Sequence, residues 1–524
     1  MNRRQTLRLL AASGGAALLT ACAAPAPSSP TTPGTPVAKS ASTPTPRSGG
    51  TLRLGTLGDL VTLDGHASGP FDTLYQVWDL LGVEDEKLNL TPVLAESLDW
   101  SADARQLKFN LHKGVTWHTG REFTSDDVRW NLERVRDPKV GGGILASYVE
   151  PLTAIETPDK STIVLKSDDP WPGVFDFIQH LNMIDPVTAQ GPDGPNKPVG
   201  TGPFIFAEYA QGDHLRLTKN KDYWRNGLPY LDEIVFTIFR DPQSMAAQFE
   251  AGALDGVLTP TLRDTQRYQQ NPTKFQVLLN RPAGDALMIL CNCTVEPTNN
   301  KQLRQALDYA LDRQRIVDTV LLGISRPMDL PYLPPSPAFD ESKNAYYSFD
   351  LDKARALLQS ANISNLELNF NFTSTSTEFS AIAQIYAADL AKIGVKLNLV
   401  PTEPVTLTQQ LVTQKYSGLA SATSLYGSLH PGLMSGNPYY NPLNNWSGFH
   451  DPTYTDLATA ITVEVDPARQ QQVYAQWRDF VLDQAFSLPI AQSVPRTVVS
   501  PHVHGLQYTM AEMLKATEAW LDVA

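Results

Sequence analysis

An α/β fold built from two or three domains is predicted for most of this 524-residue chain by three observations. Helix and strand signals alternate from about residue 51 to the end. About 475 residues follow a Pro-rich segment, and no short-period repeat or low-complexity stretch occurs after Gly50. Hydrophobic residues at 42% and aromatic residues at 9% suit domains that each bury a core.

The elements in chain order begin with an export signal. Arg3 and Arg4 precede an apolar run of about 11 residues over 9–19, too short for the roughly 20 residues a bilayer span needs. Asn2-Arg3-Arg4-Gln5-Thr6-Leu7-Arg8 resembles a twin-arginine signal, with Thr6 where that pattern favours Phe. Leu19-Thr20-Ala21-Cys22 looks like a lipobox, which makes residues 1–21 a signal peptide and Cys22 the lipid anchor. Residues 22–48 then form a lipidated, disordered tether rich in Pro, Ser and Thr, including Pro25, Pro33 and Pro44. At about 3.1 Å per residue such a segment reaches on the order of 80 Å. No later segment is long and apolar enough to span a bilayer, so the exported chain is expected to be soluble apart from its lipid.

In the folded part, residues 51–54 open as a strand, and Leu107-Lys108-Phe109-Asn110-Leu111 alternates as a half-buried strand should. Thr124-Ser125-Asp126-Asp127 reads as the cap of a helix whose Val128, Leu132 and Val135 fall at i, i+4 and i+7. Residues 234–239 are a continuous apolar run with the look of a central strand. Leu303, Leu307, Ala310 and Leu311 mark an amphipathic helix. A helix over about 378–393 should stop at Gly394, before Val395, Leu397 and Leu399 alternate as a strand. A last long helix runs through Val473, Trp477, Phe480 and Val481.

Charge and cysteine content narrow the partners. Without Arg3, Arg4 and Arg8 the 42 basic residues become 39 against 55 acidic ones, a net charge of −16. That argues against nucleic acid and against charge-driven binding to anionic lipid. Cys291 and Cys293, two apart, would point the same way on a strand and read as two small buried side chains rather than a metal or redox pair.

The residues then resemble a known family. Thr91-Pro92-Val93-Leu94-Ala95-Glu96-Ser97, Lys113-Gly114-Val115, His118 and Gly120 match the opening block of family 5 extracellular solute-binding proteins. Val199-Gly200-Thr201-Gly202-Pro203-Phe204, Tyr223-Trp224 and Phe249-Glu250-Ala251-Gly252-Ala253-Leu254-Asp255 are similar to a second block. Asn292, Leu303-Arg304-Gln305-Ala306-Leu307 and Lys353-Ala354-Arg355-Ala356-Leu357-Leu358 follow as a third. The resemblance implies a two-lobed, periplasmic-binding-protein-like fold with a hinge and an extra domain inserted in lobe I. It places lobe I at 49–66, 199–284 and 489–524, the inserted domain at 67–198 and lobe II at 285–488. It implies a monomer that takes a small solute between its lobes, without cofactor or catalysis, and hands it to ABC permease and ATPase subunits.

In peptide-binding relatives an aspartate in lobe II holds the ligand's ammonium. The corresponding stretch here, Tyr416 through Ser424 to Pro431, has no acidic residue, so a peptide with a free amino terminus loses its usual partner. The same region supplies Tyr426, His430, Tyr439, Tyr440, Asn445 and Trp446 as candidate ligand-binding residues, aromatic faces with amide and hydroxyl groups that suit a neutral or planar solute. His430 opens an alternative, a nickel-type metal chelate, although one histidine without neighbouring carboxylates is a weak donor set and no metal ligands are assigned. His112 and His118 read as structural, and Gly200-Thr201-Gly202-Pro203 as a tight turn rather than a phosphate loop.

Rival functions have less support. No Gly-x-Ser-x-Gly elbow or His-Glu-x-x-His helix occurs, which leaves a secreted hydrolase without a motif. A ligand sensor without transport would use the same fold and leave no motif of its own.

Overall fold

The computed structural model describes residues 45–67, 71–85, 87–137, 139–140, 144–281, 285–424 and 430–522. Three sheets of four or more strands carry the cores. The signal, Cys22 and most of the tether lie outside the described residues, as does Tyr426. Among the described residues no helix is long and apolar enough to cross a membrane.

The largest sheet has seven strands in the order Gln276–Leu279, Arg496–Val499, Gly256–Leu258, Thr51–Leu57, Glu233–Phe239, His214–Lys219 and Phe204–Ala210. Thr51–Leu57 pairs in parallel with Glu233–Phe239 on one side and with Gly256–Leu258 on the other, and the remaining neighbours are antiparallel. The apolar run over 234–239 is an internal strand, but its burial alternates. Ile234 and Phe236 are buried while Val235 and Thr237 are half-buried. The cause is unequal cover: Leu52, Leu54, Ile234 and Phe236 enter one large core, and the other face meets a smaller cluster around Met245, Phe249 and Val257.

A second sheet has five strands in the order Val395–Thr402, Leu366–Thr373, Leu419–Ser424, Asp285–Cys291 and Ser487–Ser493. The first three are parallel, and Asp285–Cys291 runs antiparallel to both of its neighbours. Apolar clusters cover both faces, so Asp285–Cys291 is buried from its second residue onward. Helix Thr377–Ala391 joins two parallel strands and ends two residues earlier than the sequence suggests, with Gly394 at φ +81° turning the chain into Val395–Thr402.

Two expectations need correction. The lobe change expected at 488/489 falls inside strand Ser487–Ser493, whose seven residues stay in the five-stranded sheet. Cys293 lies beyond the end of strand Asp285–Cys291, so the two thiols do not share a strand face; Cys291 is buried and Cys293 half-buried. Burial pushes both thiols up, that of Cys293 to about 11.

The third sheet is antiparallel, in the order Ala95–Trp100, Gln106–Leu111, Thr162–Ser167 and Leu152–Asp159. Leu107, Phe109 and Leu111 face its core, as their alternation requires. Helix Ser125–Val135 adds Val128, Leu132 and Val135, and Asp127 reaches back to accept the Thr124 N–H at 2.8 Å. His118 ties this domain to the seven-stranded one through the Gly202 carbonyl at 2.9 Å. The glycines at 200 and 202 are needed for closeness: a Cβ there would lie 2.0 Å and 2.6 Å from the Val77 carbonyl oxygen.

Candidate functional site

Two segments connect the seven-stranded sheet with the five-stranded one. Leu279 ends a strand before residues 280–284 and Asp285 opens the next, while Ser493 ends a strand before Val494 and Pro495, and Arg496 opens the next. Leu279 pairs with Arg496, and Asp285 with Ser493, so the two crossings run side by side. The Asn280 N–H donates to the Pro495 carbonyl at 3.0 Å, and Gln492 Nε2 to the Arg281 carbonyl at 2.9 Å. A link of two intervening residues spans at most about 10 Å between its flanking Cα atoms.

Strand direction decides what faces what. Gln276–Leu279 and Gly256–Leu258 both run antiparallel to Arg496–Val499, so Leu279 lies at the carboxyl end of the parallel set. Ala286 pairs with Ser424, the carboxyl end of Leu419–Ser424, so the chain enters the second sheet at its carboxyl edge as well. The carboxyl edges of the two sheets therefore face each other, and such an edge is where an α/β sheet leaves its crevice.

The groups on these edges are small and polar. Thr373, Ser374, Thr375 and Ser376 lead into helix Thr377–Ala391, where Ser376 Oγ accepts the Phe379 N–H at 3.1 Å. Ser424 Oγ is fully buried and has no hydrogen-bond partner among the described residues. On the opposite edge Asp59 accepts the Tyr209 hydroxyl at 2.5 Å, and burial and this carboxylate push that phenol up to about 12. Thr261 caps helix Leu262–Gln269, and Leu262 packs against the core of the five-stranded lobe. Arg496 is half-buried, with Nε donating to the Pro260 carbonyl at 2.7 Å.

Most residues singled out from sequence lie elsewhere. Tyr440 is fully buried, and its hydroxyl shares a 2.6 Å hydrogen bond with that of Ser487, which pairs with Leu290 near the amino edge of the sheet. Asn445 is fully buried too: Nδ2 donates to the Asn441 and Phe449 carbonyls and Oδ1 accepts the Phe449 N–H at 2.9 Å. The Trp446 carbonyl accepts the Tyr416 hydroxyl at 3.1 Å, and Tyr439 packs edge-on against the Trp446 ring at 4.8 Å. The Cys293 N–H donates to the Ser447 carbonyl and that of Asn292 to the Gly418 carbonyl, at the amino end of Leu419–Ser424. A six-residue strand spans about 17 Å, so Tyr439, Tyr440, Asn445 and Trp446 are gathered at the far edge of the sheet and serve its packing. The physical reason is that the chain turns back after the strand, and nearness in sequence to a carboxyl end does not keep a side chain there.

His430 sits at a different junction. Its Nδ1 accepts the Gly432 N–H at 3.1 Å, which puts the proton on Nε2 facing the Tyr474 hydroxyl at 3.0 Å. Burial pushes its pKa down to about 4, so the ring is neutral at pH 7 and both nitrogens are engaged within the protein. Leu433, three residues on, belongs to the core of the four-stranded domain, and a Cβ on Gly173 of that domain would lie 3.5 Å from His430 Nδ1. Among the described residues no three His, Cys, Asp or Glu side chains are grouped to hold a metal ion.

Sequence reasoning missed Arg496, Ser424 and the Thr373–Ser376 turn. The one available signal was Arg496 itself, a lone cation opening the apolar run Thr497-Val498-Val499 just after a proline.

Two α/β bodies joined by a double crossing, with their carboxyl edges facing, define a two-lobed binding protein of the periplasmic type. The chain belongs to the bacterial extracellular solute-binding proteins, family 5, whose "Middle" model matches residues 89–445. It is 28% identical over 467 residues to heme-binding protein A of Haemophilus influenzae, covering 80% of this chain and 81% of that one. It is likewise 28% identical to di/tripeptide-binding protein 1 of Pseudomonas aeruginosa over 453 residues, 79% of this chain and 82% of that one. Among solved structures, AgaA of A. tumefaciens R10 in complex with agropinic acid superposes with a TM-score of 0.79 at 26% identity, covering 91% and 99% of the two chains. NikA of Brucella suis with Fe(III)-EDTA shares the fold with a TM-score of 0.80 at 20% identity, covering 90% and 100%.

Proposed function

We propose that this chain captures a small organic solute between its two lobes outside the cytoplasm and delivers it to an ABC importer, doing no covalent chemistry. The observation that carries the reading is the paired double crossing, Leu279 with Arg496 and Asp285 with Ser493, which lets two rigid sheets swing about one short link. Closing requires the shut form to hold solute more tightly than the open form, and moving a population from 1:99 to 99:1 takes about 5.5 kcal/mol of such preference. The relatives named above take heme, di- and tripeptides or agropinic acid, all of which are carboxylated, and a carboxylated solute is the class favoured here.

In this reading the seven-stranded sheet is the heart of lobe I, the five-stranded sheet that of lobe II and the four-stranded sheet that of the inserted domain, with the second hinge crossing at Val494 and Pro495. Of the sequence candidates, Tyr426 is the one retained near the solute. Residues 1–21 act as the signal, by the twin-arginine or the general route, and Cys22 carries the lipid that holds a monomer at the membrane. Cys22→Ala should release the protein from membranes into the soluble fraction, and unchanged membrane association would contradict the anchor.

The function itself is tested by native mass spectrometry of gently purified protein. A bound low-mass solute that raises the unfolding temperature and is returned unaltered supports capture; steady turnover of that solute would overturn it.

A further inference from the structure

Arginines in this protein whose ionisation is shifted divide into two kinds. Arg53, Arg121, Arg216, Arg225, Arg267 and Arg313 are held above the ordinary guanidinium range, each beside at least one carboxylate. Arg496 goes the other way, lowered by burial. Among the described residues its bonds are to backbone oxygens: Nε to Pro260 at 2.7 Å and Nη1 to Val494 at 3.5 Å. Among the described residues no carboxylate lies within ion-pair distance of it. The acid whose charge acts on it is Glu378, on the first turn of helix Thr377–Ala391 in the facing lobe, and that carboxylate is bonded to the Ser376 and Thr377 hydroxyls.

A guanidinium has five N–H donors in a planar fork, and two carbonyls engage it along Nε and one edge. Among the described residues Nη2 has no protein acceptor. The group stands where the second crossing leaves the seven-stranded sheet, between two facing carboxyl edges. Arg496 is half-buried and its charge is only distantly balanced by Glu378, so an anion arriving at its open edge would find a guanidinium already partly stripped of water.

We infer that Arg496 is the anion anchor of the interlobe site, taking a carboxylate of the solute on its Nη2 side. This rests on the proposed solute capture and narrows it to ligands carrying a carboxylate. Because the anchor lies on the hinge itself, a carboxylate seated on it bridges the crossing and the turn at Thr373–Ser376, and so couples binding to closure. The planar fork, rather than charge alone, sets the preference.

The test is titration calorimetry of the full chain with trialanine against trialanine amide, glutarate against glutaramide, and maltotriose as a neutral solute. At least one carboxylate is expected to bind about tenfold or more tightly than its amide. R496Q should erase that ratio, and R496K should keep only part of it, with unfolding temperatures close to wild type as the control for folding. If R496Q proves too unstable, the acid-to-amide ratio in R496K alone decides. Equal binding of acid and amide, or an unchanged ratio in R496K and R496Q, would overturn the anchor. Maltotriose binding that closes the lobes in solution scattering, with no carboxylate doing so, would remove the anchor and leave solute capture standing. No binding and no closure with any probe would count against both.

Discussion

At the amino edge of the five-stranded sheet, Asn292 and Asn445 each make bonds from both ends of their amides, and Tyr440 is closed by Ser487. At the carboxyl edge Ser424 Oγ is buried with no partner among the described residues, and across the crossing Arg496 has backbone carbonyls and, among those residues, no carboxylate within ion-pair distance. The amino edge thus ends in an aromatic layer whose amides and Tyr440 are closed, although Trp477 Nε1 and Tyr332 Oη beside them have no partner among the described residues, and about 17 Å away the carboxyl edge presents small polar groups. The contrast separates what holds the lobe together from what it offers a solute.

The largest effect expected from breaking this contrast lies at the amino edge. Asn445→Ala strands a buried Phe449 N–H and two carbonyls and should cost about 3 kcal/mol in urea unfolding, with solute affinity unchanged. A lost affinity with little loss of stability would move Asn445 into the site.

Next in size is a pH effect at the junction with the four-stranded domain. The folded-state pKa of His430 is depressed to about 4, below its ordinary 6.5, so the unfolded chain binds more protons between those values. Its stabilisation is complete above about pH 6.5 and is lost as pH falls toward 4, by roughly 2 kcal/mol at pH 4.5. His430→Gln should flatten that part of the stability profile; an unaltered profile would contradict the burial of the ring. His66, His118 and His180 are depressed likewise, so the variant reduces the slope without abolishing it.

The smallest effect is at the carboxyl edge. Ser424→Ala removes a buried hydroxyl that has no partner among the described residues, and should leave stability unchanged or raise it by up to about 1 kcal/mol. A loss of more than that would show a partner at the edge and blur the comparison.

Local order was legible where one periodicity dominated. Val128, Leu132 and Val135 on a capped helix, and Leu107, Phe109 and Leu111 on a strand, needed only spacing to be placed on a buried face. The strand over 234–239 read as central because all its residues but Thr237 are apolar, yet its burial alternates, since cover on each face comes from segments distant in sequence. The site was harder for the same reason. Tyr439 to Trp446 follow closely after Ser424, but the chain turns back, and the edge on which they settle depends on strand order and direction. Arg496 could be seen as a lone cation after Pro495. Its lack of an acid partner is a property of the assembled lobes.

The central claim is that the two carboxyl edges close on a solute between them. It is tested most directly by fluorophores on V61C, 81% exposed beyond strand Thr51–Leu57, and T375C, exposed beyond Leu366–Thr373. With protein stripped of solute by unfolding and refolding, adding back the low-mass extract of native protein should shorten the distance between the labels. An unchanged distance, while calorimetry shows that the extract binds, would contradict the account.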